Sequence, residues 1–141
     1  MKTMPELQQP KLRLLGRGLA KRCPRCGQSG LFRRWISMTD TCPGCGHCFE
    51  REQGYWLGAV IINTASTFAL FIAIGIAIVS ATWPNVPWQT LLIITLAFNG
   101  LFPVLFYPFS KTIWVALDLG VRPLEPVEAA AASSRLPREP T

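Results

Sequence analysis

The chain has 141 residues, of which 50% are hydrophobic and 16% are charged, so it has room for one small folded module and one pair of membrane spans. Its formal net charge of +6 is compatible with a nucleic-acid partner, but the positions of the charges, given below, favour a membrane. The first 22 residues contain no apolar stretch and no cleavage site, which argues against a secretory signal peptide.

Residues 1–22 are predicted to be a basic N-terminal leader. Leu12, Leu15 and Leu19 recur at helical spacing between basic residues, a pattern typical of a short amphipathic helix on anionic lipid headgroups. Two glycines within the segment disfavour a helix, so a flexible basic leader is the alternative.

Residues 23–50 carry the most specific motif of the chain, two Cys-x-x-Cys knuckles that are each followed by glycine. The cysteines are Cys23 and Cys26 in the first knuckle, and Cys42 and Cys45 in the second. Four thiolates at this spacing can bind one tetrahedral ion. We therefore predict a small β-hairpin zinc ribbon as a cytoplasmic head. The segment is short, so metal binding is expected to supply most of its folding free energy.

Zinc is the expected metal, and a rubredoxin-like iron centre is the alternative because the same ligands suit it. A redox role is disfavoured, since redox Cys-x-x-Cys pairs normally begin a helix in a βαβ unit. With four protein ligands the site has no open position for water, and no acid/base pair is evident, so we predict that the protein is not an enzyme. His47 and Cys48 remain; we expect a surface histidine and a spare thiol, although either could compete as a ligand.

Arginine and aromatic residues alternate between the two knuckles, at Arg33, Arg34 and Trp35. Such residues can stack on bases and bind phosphates of a nucleic acid. They can equally dock on lipid headgroups beside a membrane. We favour the membrane because the chain enters its apolar region soon afterwards.

Residues 53–110 contain no Asp, Glu, Lys or Arg. Within them we predict a transmembrane hairpin over 55–107, with spans at about 56–82 and 88–107, each long enough to cross a ~30 Å hydrocarbon core. The predicted fold class is a membrane all-α helical hairpin with a small N-terminal β zinc ribbon.

Ten of the fourteen basic residues precede the first span, four follow the second, and the turn between the spans has none. The positive-inside rule then places both termini in the cytoplasm of a protein integral to the inner membrane. The ten are Lys2, Lys11, Arg13, Arg17, Lys21, Arg22, Arg25, Arg33, Arg34 and Arg51.

Three further features complete the predicted hairpin. Asn63 and Asn99 should lie at similar depth and form an interhelical pair that holds the register. Pro103 should kink the end of the second span. An interfacial amphipathic helix is predicted over 108–120, followed by a disordered tail over 121–141.

The ordered set of motifs resembles a bacterial family of small membrane proteins known as domain of unknown function 983. The resemblance covers about residues 17–124 and implies a zinc-ribbon-like head on two spans, with no particular activity. Genes of some members lie near those for haem–copper oxidase assembly, which hints at respiratory-complex biogenesis. The motifs are Cys23-Pro24-Arg25-Cys26-Gly27, Leu31-Phe32, Cys42-Pro43-Gly44-Cys45-Gly46, Phe49-Glu50-Arg51, Gly54-Tyr55-Trp56-Leu57-Gly58-Ala59 and Tyr107-Pro108-Phe109-Ser110-Lys111-Thr112-Ile113-Trp114.

The leading functional hypothesis is a non-enzymatic scaffold or assembly factor that docks on a larger membrane protein. The alternatives are delivery of zinc or copper at the membrane and a membrane-tethered ribbon that binds nucleic acid. Self-association is left open.

Overall fold

The computed structural model describes residues 10–135 and contains four helices within them. Residues 1–9 and 136–141, which include the start of the predicted leader and the end of the predicted tail, lie outside the described residues. The helices are α1 (Lys11–Leu19), α2 (Leu57–Thr82), α3 (Trp88–Val121) and α4 (Pro126–Ser134).

Helices α2 and α3 pack against each other as an antiparallel hairpin. Their 26 and 34 residues correspond to about 39 Å and 51 Å at 1.5 Å per residue. In the most apolar 18-residue stretch of each helix, only 6% of the residues are buried inside the protein in α2 and 0% in α3. Both helices are therefore long and apolar enough to cross a membrane, and their apolar side chains face outward rather than into a core.

Helix α3 runs without interruption through Pro103 and Pro108 to Val121. The predicted interfacial helix over 108–120 is consequently the last part of α3 and not an element of its own. A proline removes one N–H from the helix ladder, and a helix tolerates this where the freed carbonyl finds another donor. One such donor is identified below.

The predicted pair of asparagines does not form. The Asn63 Nδ2 donates to the Pro103 carbonyl across the hairpin at 3.1 Å, whereas the Asn99 Nδ2 donates to the Thr95 carbonyl of its own helix at 2.8 Å. Each amide thus satisfies a donor with a backbone carbonyl instead of with the other amide. The register is thus tied by a side chain on one helix and a backbone carbonyl on the other.

Helix α1 forms within the predicted leader and packs on the last third of α3. Contact of Leu12, Leu15 and Leu19 with headgroups stays a prediction; Leu12 is 86% exposed, whereas Leu14 is buried in the core that α1 shares with α3. The reason is the close approach of the two backbones at Gly18, where a Cβ would lie 2.9 Å from the Thr112 carbonyl oxygen. The Thr112 hydroxyl donates to the Gly18 carbonyl at 2.6 Å in this buried contact.

The predicted disordered tail contains α4, which is helical over Pro126–Ser134. Proline occupies the first turn, and Glu125 and Glu128 form a reciprocal capping box. These are standard signals of a helix start, and they outweigh the composition that suggested disorder.

The head between α1 and α2 contains no strand among the described residues, so the predicted β ribbon is not confirmed. Two isolated antiparallel bridges, Phe32 with Met38 and Thr41 with Cys48, hold its loops. The knuckles themselves are turns.

The head shares a hydrophobic core with the helices. Leu31 and Phe49 are 0% exposed and belong to one cluster with Leu14 of α1 and with Val115 and Leu119 of α3. Burial of such a side chain contributes roughly 1.5–3 kcal/mol. The prediction that metal supplies most of the folding energy omitted this apolar contribution, because the sequence did not show that α1 and α3 complete the core.

Candidate metal centre

The two knuckles repeat one backbone pattern. In each, the N–H of the first cysteine donates to the carbonyl five residues later, and the glycine N–H donates back to the cysteine carbonyl; the bonds are 2.9 and 2.8 Å around Cys23, and 2.9 and 2.9 Å around Cys42. This turn requires a left-handed residue, supplied by Gly27 at φ +86° and Gly46 at φ +65°. The Cys-x-x-Cys-Gly pattern is therefore explained by the turn.

The four sulfur atoms of Cys23, Cys26, Cys42 and Cys45 lie within 4.8 Å of one another. The Cys23 and Cys45 Sγ atoms are 3.8 Å apart, and those of Cys26 and Cys42 are 3.6 Å apart. A tetrahedral ion with metal–sulfur bonds of about 2.3 Å needs sulfurs about 3.8 Å apart. The cluster therefore fits a single metal ion, and these separations are far longer than a disulfide of about 2.05 Å.

The four cysteines differ in their exposure to solvent. Cys23 and Cys42 are buried, Cys45 is partly buried and Cys26 is exposed. Hydrogen bonds with Cys23 and Cys45 lower the pKa of Cys42, whereas hydrogen bonds with Cys42 and Cys45, together with burial, raise the pKa of Cys23. The four sulfurs thus compete for the same protons. A divalent cation that displaced the remaining thiol protons would relieve this competition.

Arginine side chains support the backbone of the knuckles. The Arg17 Nη1 of α1 donates to the Pro24 and Arg25 carbonyls at 3.0 and 2.9 Å. The Arg25 Nη1 donates to the Cys45 carbonyl at 3.4 Å and so links the first knuckle to the second. The Arg17 bonds therefore hold the first knuckle against α1, and the Arg25 bond joins the two cysteine pairs.

His47 and Cys48 stay outside the sulfur cluster. His47 is 2% exposed, which contradicts the prediction of a surface histidine, and its ring packs edge-on against Phe49 with centroids 5.6 Å apart. Burial and the nearby arginines lower the pKa of His47 to about 4, so the ring is neutral at pH 7. The Cys48 Sγ contacts the Glu50 carbonyl at 3.2 Å, consistent with a spare thiol.

Arg51 joins the end of the head to α3 and α4. Its guanidinium donates to Asp118 at 2.9 Å and to both carboxylate oxygens of Glu128 at 3.1 and 2.7 Å. The Tyr55 hydroxyl donates to the same Asp118 oxygen at 3.0 Å. Burial and this carboxylate raise the pKa of Tyr55. For Glu128, burial acts to raise the pKa, but the bond from Arg51 outweighs it and lowers the pKa.

A second contact joins the head to α3 near Pro108. Since Pro108 has no N–H, the Val104 carbonyl one turn earlier has no helical donor. The Trp35 Nε1 donates to this carbonyl at 3.1 Å. The Lys111 Nζ donates to the Ile36 carbonyl at 3.0 Å a little further along the helix.

The sequence identified the four cysteines, but it missed the side chains that hold the head in place. Arg51 and Thr112 each bond to an element distant in the sequence, and Arg17 bonds from α1 to the first knuckle. One signal was available. Asp118 stands alone in an apolar helix, and such a carboxylate needs a cationic or hydrogen-bonding partner.

A family model with the description "Protein of unknown function (DUF983)" matches residues 32–118, which is more than half of the chain. The chain belongs to the DUF983 family. The DUF983 match begins after the first knuckle, so it includes Cys42 and Cys45 but not Cys23 and Cys26. The assembly of both knuckles into one cluster is therefore a finding of the structure. No curated protein and no solved structure matches the chain.

Proposed function

We propose that this protein is a non-enzymatic scaffold or assembly factor of the inner membrane, with a head that a bound metal ion holds rigid. The observation that carries the proposal is the joining of the four-sulfur cluster to α3 through α1, Arg51 and Trp35. All four donors come from the protein, which suits a structural ion better than a catalytic one. A head fixed on a hairpin can present one surface to a partner in a constant orientation.

The proposed ion is zinc, held by Cys23, Cys26, Cys42 and Cys45, with iron as the alternative. Elemental analysis of the purified chain is expected to give one ion per chain. Cys42→Ser should lose the ion, whereas the matched control Cys48→Ser should keep it, because Cys48 lies outside the cluster. Loss in both variants, or in neither, would contradict this assignment.

The proposed topology places the head and both termini in the cytoplasm and the turn between α2 and α3 outside. The test is labelling of intact cells by a thiol reagent that cannot cross the membrane. Asn85→Cys, in the turn, should react without lysis in a chain that carries Cys48→Ser. In the native chain, which keeps Cys48 and has Asn85, the Cys48 thiol should react only after lysis. Reaction of both positions from the same side would reject the arrangement.

The proposed partner is a larger membrane protein, with assembly of a respiratory oxidase as the process that the family resemblance suggests. The apolar faces of α2 and α3 are exposed and available to lipid or to another helix. Crosslinking in membranes followed by purification and mass spectrometry should recover a reproducible membrane protein with the native chain and less of it with Cys42→Ser. Recovery of the chain alone would count against a scaffold.

Delivery of metal is the second candidate, and the exposure of Cys26 favours it. An exposed ligand gives an acceptor thiolate a place to attack. A chelator distinguishes the two functions: removal of the ion within minutes from the folded chain supports delivery. Removal only when the head unfolds supports the scaffold.

A further inference from the structure

The segment 32–37, which we call the head loop, lies against α3 rather than away from it. We propose that the head loop is a binding site for anionic phospholipid headgroups, in which Arg33 and Arg34 bind the lipid phosphates while Trp35 and Ile36 enter the interface. This inference rests on the proposed membrane insertion of α2 and α3, but not on the identity of the metal or partner.

The contacts of the head loop set its height on α3. The Trp35 indole bonds to the Val104 carbonyl, and the Ile36 carbonyl accepts from Lys111. Seven residues of helix separate these two points, which is about 10 Å along the axis. The interval includes Tyr107, where the sequence predicts the inner boundary of the hydrocarbon. The head loop therefore lies at the level where phosphates and aromatic side chains meet.

The exposed surface of the head loop combines apolar and cationic side chains. Trp35 is 50% exposed and Ile36 is 49% exposed, although both are fixed to α3. Arg33 and Arg34 are also exposed, and no carboxylate lies within ion-pair distance of either among residues 10–135. The positive charge of this surface is thus available to an external anion.

Two lysines extend the same surface on aromatic supports. The Lys21 Nζ lies 4.9 Å from the centre of the Trp35 ring and 4.6 Å from that of Phe109. The Lys111 Nζ lies 4.5 Å from the centre of the Trp56 ring. Lysines with apolar stems along rings and charged ends at an interface are typical of side chains that extend toward headgroups.

A nucleic acid could bind the same arginines, but the position of Trp35 beside α3 does not suit it. Base stacking requires an aromatic face open to solvent, while the Trp35 nitrogen bonds within the apolar part of α3. A hydrated polyanion would have to reach a ring at the edge of the hydrocarbon. Charge and position together favour a lipid.

The experiment uses the full chain, labelled with fluorotryptophan and reconstituted in nanodiscs of phosphatidylcholine with increasing amounts of phosphatidylglycerol. Fluorine NMR resolves the five tryptophans, and Trp35→Phe assigns the resonance of the head loop. In the native chain this resonance should shift and saturate as phosphatidylglycerol rises. Each basic residue near an anionic surface strengthens binding about five-fold. Arg33→Gln and Arg34→Gln should therefore each raise the midpoint, which is the phosphatidylglycerol content at half of the full shift, about five-fold.

Matched controls separate charge at the head loop from charge elsewhere. Arg122→Gln with Arg135→Gln removes two charges from exposed positions outside the head loop and α1, and should leave the midpoint unchanged. Arg33→Lys with Arg34→Lys should keep most of the response. Equal midpoints in the glutamine variants and the controls, or no response in the native chain, would overturn the inference.

Two further measurements assign a failure to its cause. A chain that alkaline carbonate removes from native membranes would refute membrane insertion, and with it the proposed function. A chain that stays in the membrane while its Trp35 resonance ignores phosphatidylglycerol refutes only the lipid site. Binding of mixed RNA or DNA by the native chain in phosphatidylcholine nanodiscs, abolished by the glutamine variants and steeply weakened by salt, would overturn the lipid in favour of a nucleic acid.

Discussion

Replacement of Arg51 by Met is expected to loosen the head from α3. The side chain of Asp118 is 8% exposed and that of Arg51 15% exposed, so the substitution leaves a carboxylate almost buried with Tyr55 as its remaining side-chain donor. Removal of one partner from a buried ion pair costs about 3–5 kcal/mol. We expect about 3 kcal/mol, at the lower end of that range, because Tyr55 still donates.

The control is Arg122→Met, because Arg122 forms an ion pair with Glu52 at 3.5 Å in which both side chains are exposed. Such a pair contributes about 0–1 kcal/mol. Hydrogen exchange of the Phe49 amide, which bonds to the Asp40 carbonyl inside the head, reports opening in both variants. Exchange should accelerate about a hundredfold in Arg51→Met, since 1.36 kcal/mol is a factor of ten. Equal acceleration in both variants would refute this account of the ion pair.

The pH dependence of α4 gives a second measurement of the same network. The bond from Arg51 lowers the pKa of Glu128 in the folded state below the ordinary value of 4.5. A carboxyl with a lowered folded pKa contributes stability that is fully present above its unfolded pKa and is lost as the pH falls through the folded pKa. Amide protection of α4 should therefore be constant above about pH 4.5 and fall below it. Glu128→Gln should remove this dependence.

Three further substitutions test packing and hydrogen bonding. Gly58→Ala should destabilise the hairpin by about 1–3 kcal/mol in thermal unfolding, because its Cβ would overlap the Trp114 indole, whereas Gly75→Ala, with open space, should be neutral or stabilising. Gly46→Ala should expose α4 to proteolysis through overlap with its backbone, and Gly30→Ala, which also has positive φ but open space, should not. Trp35→Phe, which removes the side-chain donor to an α3 carbonyl, should cost about 0.5–1.5 kcal/mol in the same unfolding measurement, because this hydrogen bond is exposed.

The sequence alone determined the two apolar helices and the four cysteines. Charge-free length is a property of the chain itself, so the bounds of α2 and the start of α3 followed from composition. The knuckles followed from local turn chemistry, in which glycine must occupy a left-handed position. Neither inference depends on what packs nearby.

Only the tertiary structure decided how the head is held and which faces are buried. Leu14 faces the protein because α1 packs on α3 at Gly18, and His47 is buried because its ring packs against the buried Phe49. Arg51 meets Asp118 across 67 residues. Contacts between residues so far apart depend on the path of the whole chain, which no local pattern specifies.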